Sequence, residues 1–250
     1  MKSFIKDTKL LLQSIPSYII VGYVLSVVFM NILANREWNI PISWIGLDCG
    51  FFLSWISFLN MDCVAKRFGA KASFELSITA LFYNLCVCGI LFVIMQFVTG
   101  TWSASYNYTD PEIQKAVGEA LTSTFKGTWF VLLGSSIAFV CSSFVNSYSN
   151  QIIGKLIHDD ANNTHFVKFA IRSYGSTMIG QFVDNLVFAF IVSYNFFGWS
   201  SIKCVGGAVT GAIFELLMEV VFSPIGFNIV RRWEKDNIGT EYLQAHVVSQ

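Results

Sequence analysis

Six mostly apolar stretches, each about 20 residues or longer and so long enough to cross a bilayer core, constrain this chain more than any other feature. They lie near residues 15–34, 41–60, 74–98, 127–153, 167–195 and 204–229. The chain is 54% hydrophobic and 13% charged, with a mean hydropathy of +0.56, whereas soluble domains carry about 25% charged residues. In lipid every backbone N–H and C=O must be satisfied internally, so apolar spans of this length fold as helices. The expected fold is all-α: a polytopic membrane protein with six transmembrane helices in a single domain over residues 1–235. A polar, partly disordered tail follows over 236–250. No soluble domain is expected, and hence no ATPase.

Lysines and arginines set the expected orientation. With the N-terminus inside, Lys2, Lys6, Lys9, Lys66, Arg67, Lys71, Lys155, Lys168, Arg231, Arg232 and Lys235 face the cytoplasm, against Arg36, Lys115, Lys126 and Lys203 outside. Both termini are then cytoplasmic. The basic start, MKSFIKDTK, runs into an apolar stretch long enough to span and without a small-residue cleavage site, so no cleaved signal peptide is expected. In the longest outer loop, Asp110-Pro111-Glu112 has the form of a helix cap with proline in the first turn. The apolar face that follows predicts a short amphipathic helix over about 111–123, lying on the outer membrane surface.

Other chemistries find little support. Net charge is zero, so nothing favours a nucleic-acid partner. Cys49, Cys63, Cys86, Cys88, Cys141 and Cys204 lie mostly in apolar segments without a CxxC pair, and no HExxH, P-loop or GxGxxG occurs. No metal, cofactor or catalytic centre is expected.

The polar residues inside the spans are the candidates for function. Ser173, Ser176, Thr177, Gly180, Gln181 and Asp184 recur at spacings of three and four and line one helix face. A carboxylate near the bilayer centre costs at least ~2.5–3.5 kcal/mol, so Asp184 should face protein or a wet cavity. It is either a substrate ligand or a buried acid bonded to a neighbouring helix. Arg172 begins the same segment, where it lies within the membrane or snorkels to its inner surface. Asp62 precedes Lys66 by four residues, the favourable order for a helical pair. Asp48 reads as two turns into the same helix, about 21 Å away, too far to form an acid dyad. The fourth span carries Gly134, Ala138 and Ser142 at the small-residue spacing of close helix contacts, then Asn146, Ser149, Asn150 and Gln151. In the sixth span, Gly207 and Gly211 read as a tight helix contact or a homodimer seam. Glu215 and Glu219 share a face, so one is protonated or both meet a cation. Pro224 should bend or loosen the end of that helix.

Three stretches resemble the queuosine-precursor transporters of the VUT (YhhQ-like) family. They are DCVAKRFGA from Asp62, STMIGQFVDN from Ser176, and the sixth span ending in Phe222-Ser223-Pro224. The six-span plan matches as well. The resemblance implies a bacterial inner-membrane importer of a 7-deazaguanine: the 7-cyano compound, the 7-aminomethyl compound or queuine. Asp184 would accept the two donors of the guanine-like edge, Gln181 or Asn185 would read the neighbouring carbonyl, and Phe188 or Tyr148 would stack on the base. Asn146, Ser176, Asp62, Arg172, Glu215 and Glu219 complete the candidate site. The chain departs from the family pattern at Asn146 and Ser149, where many members have Gln and Asp, and at Glu215, where some have Lys. Two rivals remain: the substrate-binding subunit of an energy-coupling-factor vitamin transporter, and an intramembrane enzyme with Asp62 and Asp184 as an acid pair. The lack of a GxGD-like motif counts against the second.

Overall fold

Pro16 supplies the first bend of the chain. Helix α1 (Lys2–Ser14) and helix α2 (Ser17–Leu33) meet there at 107°. The structure is a computed structural model and describes residues 2–38, 40–97, 110–157, 165–196 and 198–247. After α2 come two short strands, β1 (Glu37–Trp38) and β2 (Leu47–Asp48), paired antiparallel with Glu37 opposite Asp48. Then follow α3 (Phe51–Phe68), α4 (Ala70–Phe97), α5 (Pro111–Leu156) and α6 (Phe166–Phe188). A π-helical turn (Ala189–Ser193) and a three-residue α7 (Tyr194–Phe196) lead to α8 (Ser201–Lys235) and α9 (Thr240–Val247).

The bundle is polar inside and apolar outside, the arrangement a lipid solvent selects. Phe82, Ile90, Phe97, Leu217 and Val221 are exposed, whereas Asn31, Asp62, Asn146, Asn150, Gln181, Glu215 and Glu219 are buried. Helices α4, α6 with its π turn, α8 and residues 131–156 of α5 are long and apolar enough to cross a membrane, and the bent pair α1–α2 makes a fifth candidate. Helix α3 is too charged to pass that test, carrying Asp62, Lys66 and Arg67. It lies instead among the others, against α2, α4, α5 and α8, with most of its side chains buried. Helix α6 packs along both α5 and α8.

Several expectations change. The segment near 41–60 is not one helix: it carries the loop, β2 and only the start of α3, which runs on to Phe68. Asp48 therefore sits in a strand and not two turns into that helix. The cap at Asp110 forms as read, its carboxylate accepting from the Glu112 N–H at 2.9 Å, with proline in the first turn. The helix it starts is not a separate surface helix, however, because it continues unbroken into the span as α5. The tail after 236 contains α9, whose Tyr242 is buried edge-on against Phe68. Arg67 ties the same corner, donating twice to the Ile238 carbonyl at 3.0 and 2.9 Å. Pro224 lies inside α8, which runs on to Lys235. It cannot donate to the Val220 carbonyl, but the Ser223 hydroxyl does so at 3.1 Å. Gly207 and Gly211 are used inside the chain: a Cβ on Gly207 would strike the Gly46 carbonyl, and one on Gly211 would come within 2.7 Å of the Asn185 amide. The GxxxG pair is thus a seat for the hairpin loop and for Asn185, not a free dimer seam.

Candidate functional site

Two groups of polar side chains fill the bundle, about one helical turn apart along α8. The deeper group surrounds Asp62. Its Oδ1 accepts from the Asn146 amide (3.1 Å), the Asn150 amide (2.8 Å) and the Ser176 hydroxyl (3.2 Å). Its Oδ2 accepts from Ser173 (2.6 Å) and Thr177 (3.1 Å). Five donors from α5 and α6 thus converge on one carboxylate of α3. Each is an uncharged group, and together they replace the hydration a buried anion loses. Arg172 holds the arrangement from behind. It is buried, and its Nε donates to the Asn150 carbonyl at 2.9 Å and also to the Asn150 side-chain oxygen. That contact turns the Asn150 NH2 toward Asp62 and Ser176. Gly154 leaves room for the guanidinium, since a Cβ there would lie 2.9 Å from Nε. Gly180 does the same between α5 and α6, where a Cβ would lie 2.8 Å from Asn146 and 2.8 Å from Phe58. Glu219 joins this group through Ser173, whose hydroxyl reaches its Oε1.

The second group lies nearer the hairpin. Glu215 accepts from the Ser54 hydroxyl and from the Asn185 amide at 3.1 Å. With its amide oriented to satisfy both partners, Gln181 also donates to Glu215, at 2.6 Å. Asp184 accepts from Ser142 of α5 at 2.6 Å and is only partly buried. These residues border a narrow cleft of about 20 Å³, room for about one water molecule, so a larger ligand needs the helices to part. Its wall carries Asp48, Asp184 and Glu215 together with Ser54, Asn185, Phe51 and Phe188. Among the described residues no lysine or arginine borders it. A second recess, also of about 20 Å³, shares Asp48, Phe51, Asn185 and Phe188 with it and is lined on its far side by Trp199. Asp48 lies in β2, and burial pushes its carboxyl up to about 6 against the opposing bond from the Gly50 N–H. The π turn begins directly after Phe188, where a widened backbone spiral commonly marks a functional position.

The hairpin covers the recess. Trp199 donates through Nε1 to Glu37 at 3.3 Å, and Lys203 pairs with the same carboxylate at 2.6 Å. The Lys203 ammonium also sits 4.6 Å from the centre of the Trp199 ring.

The stripe on α6 therefore exists as read, but it divides. Ser173, Ser176 and Thr177 serve Asp62, whereas Gln181, Asp184 and Asn185 serve the cleft. Glu215 and Glu219 also part company: Glu215 borders the cleft and Glu219 joins the Asp62 group. Asp62 and Asp184 are held by different residues, Asp62 by donors of α5 and α6 and Asp184 by Ser142. Arg172 is not at the surface. Tyr148 is exposed and packs on Phe144, away from the cleft, while Phe188 borders it. The sequence reading did not assign Ser54 or Phe51 to the site. A lone serine and a phenylalanine within an apolar run give no signal.

No curated protein and no solved structure matches the chain significantly. A family model does: residues 48–228 match the one described as "Putative vitamin uptake transporter". The matched region begins at Asp48 and spans both polar groups, and the chain belongs to that transporter family.

Proposed function

We propose that this protein imports a 7-deazaguanine queuosine precursor across a bacterial inner membrane, with α3, shielded by its neighbours, as a sixth span beside the five candidates and both ends in the cytoplasm. The observation that carries the reading is the cleft, where carboxylates, an amide and an aromatic ring meet at one opening. A guanine-like edge offers two parallel donors, which a carboxylate accepts side by side. Asp184 suits this role: its one hydrogen bond, from Ser142, is made through Oδ1, and it borders the opening. Glu215 already holds three partners and shapes the wall. Phe188 offers a face for the base and Asn185 a donor to its carbonyl.

Three carboxylates with no basic neighbour on the wall favour a ligand with a positive group. The 7-aminomethyl compound and queuine carry an amine, and the 7-cyano compound does not. The expected preference for the amine is about 1.5–3 kcal/mol, roughly ten- to a hundredfold in affinity. Titrating each of the three compounds into purified protein tests both levels of the reading. Equal affinity for amine and nitrile would refute the charge argument. Binding of none of them would refute the substrate class, and uptake that depends on a co-purifying ATPase would favour the energy-coupling-factor alternative.

A further inference from the structure

Ser173 presents a proton-counting problem. Its single hydroxyl lies within hydrogen-bonding distance of two carboxyl oxygens, Asp62 Oδ2 at 2.6 Å and Glu219 Oε1. A hydroxyl has one proton to give. If it donates to Asp62, the contact with Glu219 is a hydrogen bond only when Glu219 is the donor, as a carboxylic acid. An independent observation agrees. Glu219 is fully buried and its Oε2 has no hydrogen-bond partner. An ionised carboxylate in that position would leave charge unsatisfied, whereas the carbonyl oxygen of a neutral acid tolerates it at far lower cost.

Asp62 differs from Glu219 in having three further donors, from Asn146, Asn150 and Thr177, with the Ser176 hydroxyl shared between Asp62 and the Ser173 carbonyl. It is the better-solvated anion of the two, so the proton belongs on Glu219. The titratable and charged groups nearest on the packed helices are the buried Cys63 thiol and Lys66 on α3, Arg172 and Asp184 on α6 and Glu215 on α8; the α5 groups that reach Asp62 are amides. Arg172 is directed at Asn150 and the Ala65 carbonyl. The site is coupled to the cleft by its scaffold: Ser173 and Thr177 lie on the same helix as Gln181, Asp184 and Asn185, and Glu219 is one turn from Glu215. A shift of α6 against α8 would change both groups at once.

The geometry points to a proton-binding site formed by Glu219, Ser173 and Asp62, which takes up and releases one proton in each transport cycle. In chemical terms the Glu219 O–H bond breaks, its proton passes to water on one side of the membrane, and the carboxylate left behind is reprotonated from the other side. This rests on the import reading, because the cycle needs a substrate. The test is therefore arranged in two parts. Purified protein in liposomes holding a pH-sensitive dye is supplied with 7-aminomethyl-7-deazaguanine. The expected result is lumenal acidification in step with substrate entry, with protons moved per substrate falling at least tenfold in Glu219→Gln. Substrate entry without proton movement in the wild type, or an unchanged ratio in Glu219→Gln, overturns the proposal. Should none of the deazaguanines enter at all, the import reading fails. Infrared difference spectra of the purified protein then decide the proton site alone. A protonated-carboxyl band at neutral pH that disappears in Glu219→Gln and shifts in Ser173→Ala supports it, and a band untouched by both variants overturns it. The dependence would be on sodium and not on pH if the site held a metal cation, and that outcome also overturns it.

Discussion

The two polar groups are built from the same materials and differ in what they leave over. Asp62 has five donors and is buried. Asp184 has one hydroxyl partner and faces an opening. A buried carboxylate saturated by its own protein ties helices together. One with spare acceptor capacity at a cleft can take donors from a ligand. The identity of the residue did not assign these roles; the number of donors the neighbouring helices direct at it did. Glu215 and Glu219 repeat the contrast one turn apart, the first engaged by Ser54, Gln181 and Asn185, the second by Ser173 at a single oxygen.

If that distinction is correct, substitutions in the two groups should fail differently. Asp62→Ala leaves amides of Asn146 and Asn150 and three hydroxyls without their acceptor in a buried space. The expected loss of stability is about 3–5 kcal/mol, the range for breaking a buried, fully partnered charged network. Thermal unfolding in detergent reads it, and a melting temperature within a degree or two of wild type would break the comparison. Gly180→Ala sharpens it with a smaller effect. Its Cβ would crowd Asn146 and Phe58, at a cost of about 1–3 kcal/mol, and would press Asn146 away from Asp62. Destabilisation should therefore exceed that of Gly89→Ala on α4, where nothing lies within 4 Å. Equal melting temperatures for the two variants would show that α5 and α6 do not need this close approach.

Much of this was legible one helix at a time. The apolar runs, the cap at Asp110 and the stripe from Ser173 to Asp184 are properties of a single helix, and periodicity reveals them. The role of Asp62 is not such a property, because its donors come from residues 84 to 115 positions away. Hydropathy counts Trp44, Ile45 and Leu47 equally in a loop or a helix, so the segment near 41–60 scores as a span although it holds a loop and a strand. Pro41, Gly46 and Gly50 were the breakers that marked the turn. Helix α5 was divided because apolarity falls between Leu121 and Trp129, although a helix needs no apolar face to continue once nucleated. The polarity of the tail points to partial disorder, yet Tyr242 packs against Phe68 and docks α9.

The measurement that bears most directly on the account is a calorimetric titration of 7-aminomethyl-7-deazaguanine into the wild type and into Asp184→Asn. Asparagine keeps the shape but loses the charge and one acceptor. Saturable binding in the wild type is expected, with a weakening of about 1.5–3 kcal/mol, ten- to a hundredfold, in the variant. Its melting temperature should stay close to wild type, unlike that of Asp62→Ala. Equal affinities in the two proteins would contradict the assignment of Asp184 as the residue that reads the ligand.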